Sequence, residues 1–315
     1  MMIYPRTLTG TIDIENFLRK RPMLIDKFSK EIGLPRPSVQ KIAASANYLY
    51  KHYTIPKRSG GERDIYHPTP RLKLVQRWIT RHVIRDLPVS DAAMAYRKGK
   101  SITDNARLHA GKRFLLKMDF TDFFPSIKAR DLQPILTSRG YDPEDVNFIL
   151  TICFKSGSLT IGAPSSPAVS NIVMFALDQE FKGIADRRKL TYSRYADDLT
   201  FAGNVRGNLI EAKKDVERLI GTWASPNLTL NQRKTVLVSS AHRQKVTGIT
   251  LTTDGEISIG REKKRELRAI VHRSTYQKLE PEVEAYVQGW LAYANSIEPK
   301  FVDSLRKKFD TYLDF

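Results

Sequence analysis

Two carboxylates stand side by side at Asp197 and Asp198, and a third, Asp119, closes the apolar run KRFLLKMDF. Adjacent carboxylates repel and raise each other's pKa unless a cation neutralises them. Acidic turns are common and most are simply solvated, so the pair alone carries little weight. A third carboxylate at the end of a buried strand changes that, because the three can converge. Hard cations such as Mg²⁺ want oxygen ligands in octahedral geometry and keep waters for a phosphate substrate. Two such ions roughly 3.5–4 Å apart can activate an attacking hydroxyl and stabilise the leaving oxygen of an in-line phosphoryl transfer. Lys and Arg total 52 against 34 Asp and Glu, a net charge of +18 spread along all 315 residues. Such a surface predicts a polyanionic partner, nucleic acid ahead of anionic membrane. Carboxylates and basic charge together make nucleotidyl transfer the leading chemistry.

The elements that must position these groups can be read from periodicity and turn residues. KRFLLKMDF predicts a buried strand running into Asp119. LTYSRYADDLTFAG predicts a hairpin turning at Ala196, Asp197 and Asp198. YTIPKRSGGERDIYHP predicts another, turning at Ser59, Gly60 and Gly61. Upstream, Phe17, Leu18, Leu24, Ile25 and Phe28 form a loose helical stripe broken by Pro35 and Pro37. An apolar helix face through Leu72, Val75, Trp78 and Ile79 stops at Pro88. Further helices are expected over Ala129–Ser138, 143–154, AVSNIVMFALDQEFKGIA and 209–223. NLTLNQRKTVLVSS reads as interrupted strand, KVTGITLTTDGEISIG as a hairpin turning at Asp254 and Gly255, and the stretch from Arg261 as basic helix. Paired strands with helices between them predict an α+β fold. The single Cys153 excludes an internal disulfide and a cysteine-based zinc site and reads as a small core residue. No apolar run is long enough to cross a bilayer, and MMIYPRTLTG lacks a signal-peptide block, so a soluble, cytoplasmic protein without a membrane partner is expected.

Three motifs in order carry a resemblance. Tyr195-Ala196-Asp197-Asp198 resembles the catalytic hairpin of reverse transcriptases, and the run from Met118 to Ser126 resembles their first carboxylate strand. Gly162-Ala163-Pro164-Ser165-Ser166-Pro167, followed by Ser170-Asn171, is similar to the loop supporting template and incoming nucleotide. Asn105-Ala106-Arg107-Leu108-His109 and Val246-Thr247-Gly248 fit the NAxxH and VTG patterns of the bacterial retron branch. The resemblance runs from about residue 53 to 251. One departure is Ile161, where many relatives carry Gln.

The resemblance implies a right-hand polymerase. A helical N-terminal extension covers 1–50, fingers and an antiparallel palm 51–250, and a basic helical thumb 251–315. It implies two Mg²⁺ ions held by Asp119, Asp197, Asp198 and the Phe120 carbonyl, with Asp198 secondary and Asp122 only a polar turn residue. Phe124 falls at the sugar-selecting position, where an aromatic ring fills the space a ribose 2′-OH needs. Arg63 resembles the fingers arginine that clamps the triphosphate through its planar fork. Solvated turn charges explain Lys57 and Arg58 nearly as well. Gly162 belongs to the nucleotide loop, and Lys234 resembles the lysine that approaches the triphosphate, with a plain surface lysine as its equal. Asn105 and His109, one helical turn apart, share a face that would meet RNA together with Val246, Thr247 and Gly248. Lys263, Lys264 and Arg265 would track phosphates. Tyr286, Trp290 and Tyr293 read as thumb core first and base-stacking residues second.

The implied partners are dNTPs, the DNA product, a cognate noncoding RNA acting as template and primer, and a separate effector protein in antiphage defence. Two other readings stay open at this point: a non-retron bacterial reverse transcriptase, and an RNA-binding scaffold that sequesters an effector without polymerising.

Overall fold

The computed structural model describes residues 22–57, 60–309 and 312–313. Phe17, Leu18, Arg58 and Ser59 lie outside them.

The sheet that matters is built around β3 (Phe114–Thr121), a strand buried on both faces over most of its length. It pairs antiparallel with β5 (Asp198–Gly203) on one side. On the other it pairs with β6 (Thr229–Leu230) at its end and with β7 (Val236–Ser239) at its start. The outer strand β4 (Thr191–Tyr195) pairs with β5 through the predicted hairpin. Strand alternation divides the side chains between two faces. Leu116, Met118, Phe120, Tyr192, Leu199 and Phe201 share one face and belong to the main core. Helices α9 (Phe175–Arg187) and α10 (Arg206–Thr222) close that face. The opposite face carries Leu115, Lys117 and Asp119 on β3, in register with Ala202, Thr200 and Asp198 on β5. Helix α4 (Ile102–His109) covers only part of it. The carboxylates stand on the part left open.

The N-terminus of α4 is fixed by a capping box: the Asp104 amide donates to Ser101 Oγ at 3.1 Å, and the Ser101 amide donates to the Asp104 carboxylate at 2.9 Å. The main core also takes in α1 (Leu24–Ile32), α2 (Arg36–Ala44), α3 (Pro70–His82), α6 (Ala129–Ser138), α7 (Pro143–Cys153) and α8 (Ser166–Val173). Leu24, Ile25 and Phe28 form the inward stripe of α1 as their spacing predicts. Cys153 is fully buried, and burial pushes its thiol up to about 12. The early hairpin forms from β1 (Tyr50–Pro56) and β2 (Glu62–Pro68). A one-turn helix, α5 (Phe123–Ser126), follows β3.

The segment 244–258 is a three-stranded sheet, where the sequence pattern gives one hairpin. It contains β8 (Gln244–Val246), β9 (Ile249–Leu251) and β10 (Ile257–Ser258), and it crosses the position expected to begin the thumb. Beyond it, α11 (Arg261–Arg273), α12 (Pro281–Ile297) and α13 (Pro299–Lys308) enclose a separate core of Leu267, Val271, Val287, Leu291, Phe301 and Val302. Of the three aromatic residues of α12, Trp290 packs half-buried against that core, Tyr293 packs against a neighbouring cluster with Val246 and Ile249, and Tyr286 is exposed. The three rings form a row along α12, with centroids 6.4 and 5.5 Å apart. Val287, Leu291 and Ala294 occupy the inward stripe instead. Among the described residues no helix is long and apolar enough to cross a membrane.

Candidate active site

Asp119 and Asp198 face each other across the β3–β5 ladder, the last pair of their register. Asp197 sits in the turn, and its carbonyl accepts the Phe120 amide at 3.2 Å, tying the turn to β3. The three carboxylates therefore share one end of one sheet face. Ala196 adopts the left-handed φ of +56° that closes this tight turn. Burial first, then the Asp197 charge, pushes the Asp198 carboxyl up to about 6 while Lys117 opposes the shift. Burial and the Asp119 charge raise Asp197, opposed by Lys234 and Arg63.

Among the described residues no group of three or more His, Cys, Asp or Glu side chains is arranged to hold a metal ion. Asp119 is 5% exposed and turns both oxygens onto Lys234, whose Nζ lies 2.9 Å from each. The ammonium occupies the place a cation would take on that carboxylate. All-oxygen donors, raised pKa values and an adjacent cation are the chemistry of a site for hard dications. Lys234 arrives there because the Asn231 amide donates to the Asp119 carbonyl at 2.7 Å, after which a short 3₁₀ turn, Gln232–Lys234, bends back.

Phe123 is core, 4% exposed, and stacks on Phe120 at 5.9 Å; Phe124 is half-buried beside it. Asp122 is exposed with φ +44°, in keeping with a turn residue. Arg63 is exposed on β2, near enough for its charge to act on Asp197. Gly162 has a concrete packing reason: φ is +112°, and a Cβ there would lie 2.7 Å from the Tyr66 carbonyl oxygen. The Ile161 carbonyl accepts the Tyr66 amide at 2.9 Å, so this loop docks on β2 through backbone contacts independent of the side chain at 161.

Asn105 and His109 are buried instead of lying on a surface open to RNA. They are 1% and 0% exposed, and both reach Ser193 on β4. Ser193 Oγ donates to Asn105 Oδ1 at 2.6 Å and lies 2.7 Å from His109 Nε2. With its proton committed to Asn105, Ser193 can only accept from the imidazole. Burial, then the charge of Lys112, drives His109 down to about 3, so it is neutral. The NAxxH face thus clamps α4 onto the sheet face that carries the carboxylates. In the VTG element Val246 is buried, while the half-buried Thr247 (φ +48°) and the exposed Gly248 (φ +86°) make the β8–β9 turn, and Thr247 Oγ1 donates to the Ile102 carbonyl at 3.2 Å. Lys263 binds Glu266 and the Tyr286 hydroxyl at 2.6 and 2.8 Å and lies 4.2 Å from the Trp290 ring centroid. Lys264 pairs with Glu298, whereas Arg265 is exposed.

One cluster escaped the sequence reading. Arg194 and Asp178 are both 0% exposed and form a bidentate pair, Nε to Oδ1 at 2.8 Å and Nη2 to Oδ2 at 2.7 Å. Arg194 Nη2 also donates to Asn171 Oδ1, and Nη1 donates to the Ala196 carbonyl at 3.0 Å. Tyr192 OH donates to Asp178 at 2.8 Å. Beneath the sheet, a buried guanidinium therefore holds the turn that carries Asp197.

Residues 55–251 match the family model described as reverse transcriptase (RNA-dependent DNA polymerase). The chain is 38% identical over 309 residues to the Retron Ec83 reverse transcriptase of Escherichia coli, covering 95% of each sequence. It is 32% identical to the Retron Ec86 reverse transcriptase of the same organism, covering 89% of each. Among solved structures, apo telomerase from Candida tropicalis matches 82% of this chain with a TM-score of 0.50 and 11% identity. The chain spans 55% of the length of that telomerase, a likeness of fold alone.

Proposed function

This chain belongs to the reverse transcriptases, RNA-directed DNA polymerases of right-hand α+β fold, and from that premise we propose that it serves a retron. In this reading it copies part of a cognate structured noncoding RNA, at once template and primer, into single-stranded DNA. The branched RNA–DNA product acts in antiphage defence with a separate effector protein. Near end-to-end similarity to relatives named retron reverse transcriptases supports this reading. In the same reading 1–50 is an N-terminal extension, 51–250 fingers and palm, and 251–315 the thumb.

The observation that carries the catalytic proposal is the juxtaposition of Asp119, Asp198 and the Asp197 turn at one end of one sheet face. Asp119, Asp197, Asp198 and the Phe120 carbonyl would hold two Mg²⁺ ions. When bound, these supply charge neutralisation at the primer hydroxyl and at the leaving pyrophosphate. Lys234 would move from Asp119 to the triphosphate and offer a proton to the leaving group. Arg63, reaching in from the fingers hairpin, would clamp the phosphates. Gly162 would let the nucleotide loop lie close against β2, and Phe124 would exclude the ribose 2′-OH. The bond formed joins the primer oxygen to the α-phosphate, and the bond broken releases pyrophosphate. Phosphate contacts are assigned to α11, with Arg265 outward and Lys263 and Lys264 shared with their carboxylate partners.

A test is extension of the cognate RNA with dNTPs in Mg²⁺, followed by debranching and sequencing. A DNA strand joined to the RNA through a 2′-linked branch is expected. Templated DNA without any branch would leave a polymerase and remove the retron assignment.

A further inference from the structure

The nucleotide pocket has one aromatic wall in Phe124. A second ring stands beside it, on a segment given no role so far. Residues 90–97 run along β4 and are fastened at nearly every step. The Ala93 amide donates to the Ser90 carbonyl at 3.0 Å, the Arg194 amide to Ala92 at 2.8 Å, and the Met94 amide to Arg194 at 2.8 Å. Arg97 Nη1 closes the loop on the Ser90 carbonyl at 2.9 Å. Ala92, Ala93, Met94 and Ala95 are all buried. Tyr96 breaks the pattern: it is 49% exposed, with φ +61°. A bulky side chain in the left-handed region is an outlier that persists only where the surroundings enforce it, and such strain gathers at ligand sites.

The Tyr96 ring centroid lies 6.4 Å from that of Phe124, with the planes inclined at 47°. Its phenol is raised first by burial and then by the charges of Asp197 and Tyr195. Asn171 fixes the backbone immediately before it. Asn171 Nδ2 donates to the Ala95 carbonyl at 2.9 Å, and its Oδ1 accepts from Arg194 Nη2 at 3.1 Å. Arg194 in turn holds the Ala196 carbonyl. One buried amide therefore joins the carbonyl preceding Tyr96 to the guanidinium that anchors the catalytic turn.

We propose that Tyr96 is the second aromatic wall of the nucleotide pocket, packing with Phe124 around the deoxyribose of the incoming dNTP, and that Asn171 is the residue that positions it. The inference rests on the reading of Phe124 as the sugar gate. Two ring faces meeting at an angle form an apolar corner that fits the CH₂ at C2′ of a deoxyribose and leaves little room for a ribose hydroxyl. Because the corner is tied to the catalytic turn through buried hydrogen bonds, sugar position and carboxylate position are set together.

Six proteins test this: wild type, Tyr96→Gly, Tyr96→Phe, Phe124→Ala, Asn171→Ala and Tyr96→Gly with Asn171→Ala, compared by single-nucleotide insertion kinetics with a dNTP and its matching rNTP and by thermal melting. Tyr96→Gly removes the ring and relieves the left-handed backbone. It is expected to raise KM for the dNTP by about 10-fold, the scale of one lost apolar contact in a specificity pocket. The rNTP/dNTP ratio of kcat/KM rises, and the melting temperature stays level or increases. A loss of selectivity without a loss of stability is the signature a merely structural residue would not give. Tyr96→Phe keeps the ring and is expected to restore the low rNTP/dNTP ratio that Tyr96→Gly loses. Asn171→Ala is expected to reproduce part of the KM rise and to add nothing further in the Tyr96→Gly background, since positioning acts through the ring. Should Asn171→Ala fail to fold, the Tyr96 variants still decide the pocket. An unchanged KM and ratio in Tyr96→Gly, with the ratio shifted in Phe124→Ala, overturns the inference and leaves the gate standing. An unchanged ratio in both places the sugar pocket elsewhere, and both readings fall.

Discussion

Replacing Asp178 with Ala attacks the anchor of the catalytic turn without touching the site. Asp178 accepts two bonds from Arg194 and one from Tyr192, and both members of the ion pair are fully buried. Removing it leaves a guanidinium in the core with only Asn171 and the Ala196 carbonyl as partners, and strips Tyr192 of its acceptor. Breaking a buried pair from one side costs roughly 3–5 kcal/mol, because the surviving charge stays desolvated. Against a total stability of about 5–15 kcal/mol for a folded protein, that is a large fraction. Replacing both partners together, Asp178→Leu with Arg194→Met, is expected to cost far less, since a well-packed apolar pair of similar volume needs no desolvation. That double variant still loses the bond to the Ala196 carbonyl. It therefore separates the two roles of Arg194: stability returns while DNA synthesis stays impaired. Urea unfolding followed by circular dichroism measures the first, and primer extension the second. A loss for Asp178→Ala within about 0.5 kcal/mol, the scale of an ordinary surface change, would refute the reasoning. So would full synthesis by the stable double variant.

Asn105→Ala with His109→Ala is expected to weaken extension of the cognate RNA and of a generic annealed primer alike, because both residues brace α4 against β4; selective loss on the cognate RNA at one fixed salt concentration would restore a direct contact. The raised pKa of Asp198 fixes a pH dependence. Unfolded, the carboxyl ionises near 3.8, and folded near 6; its contribution to stability is complete below 3.8 and is lost as pH rises through 6. In EDTA, Asp198→Asn is expected to stabilise the protein at pH 7.5 but not at pH 3.5 on the order of 1–3 kcal/mol; an equal effect at both pH values would contradict the shift. Gly162→Ala forces a Cβ against the Tyr66 carbonyl in a strained φ, with an expected cost of roughly 1–3 kcal/mol and reduced synthesis; an unchanged melting temperature would show that β2 and the loop part freely.

Much of the fold was legible because the pattern had few alternatives. An apolar run ending in Asp119 and a YADD turn between apolar strands can bury their side chains in one register only, and that register sets Asp119 opposite Asp198. What stayed hidden was direction. The spacing of Asn105 and His109 gives a shared face, but not whether it points at solvent or at Ser193. On α12, the row 286, 290, 293 and the row 287, 291, 294 have the same helical spacing and differ by a rotation of one residue. Only packing shows that the second faces inward. Arg194 looked like another basic residue of a basic chain, since its partner Asp178 is sixteen positions away in another element. Tyr96 gave no signal because its strained φ is imposed by contacts from 171 and 194.

The central claim is that Asp119, Asp197 and Asp198 form one metal-dependent polymerase site. Its most direct test is single-dNTP insertion on a primed RNA template by wild type and by Asp197→Asn with Asp198→Asn, each titrated with Mg²⁺, with RNA binding measured on the same preparations. The account predicts Mg²⁺-dependent insertion by the wild type, and none by the double variant at undiminished RNA binding. Substantial Mg²⁺-dependent insertion by the double variant would contradict it.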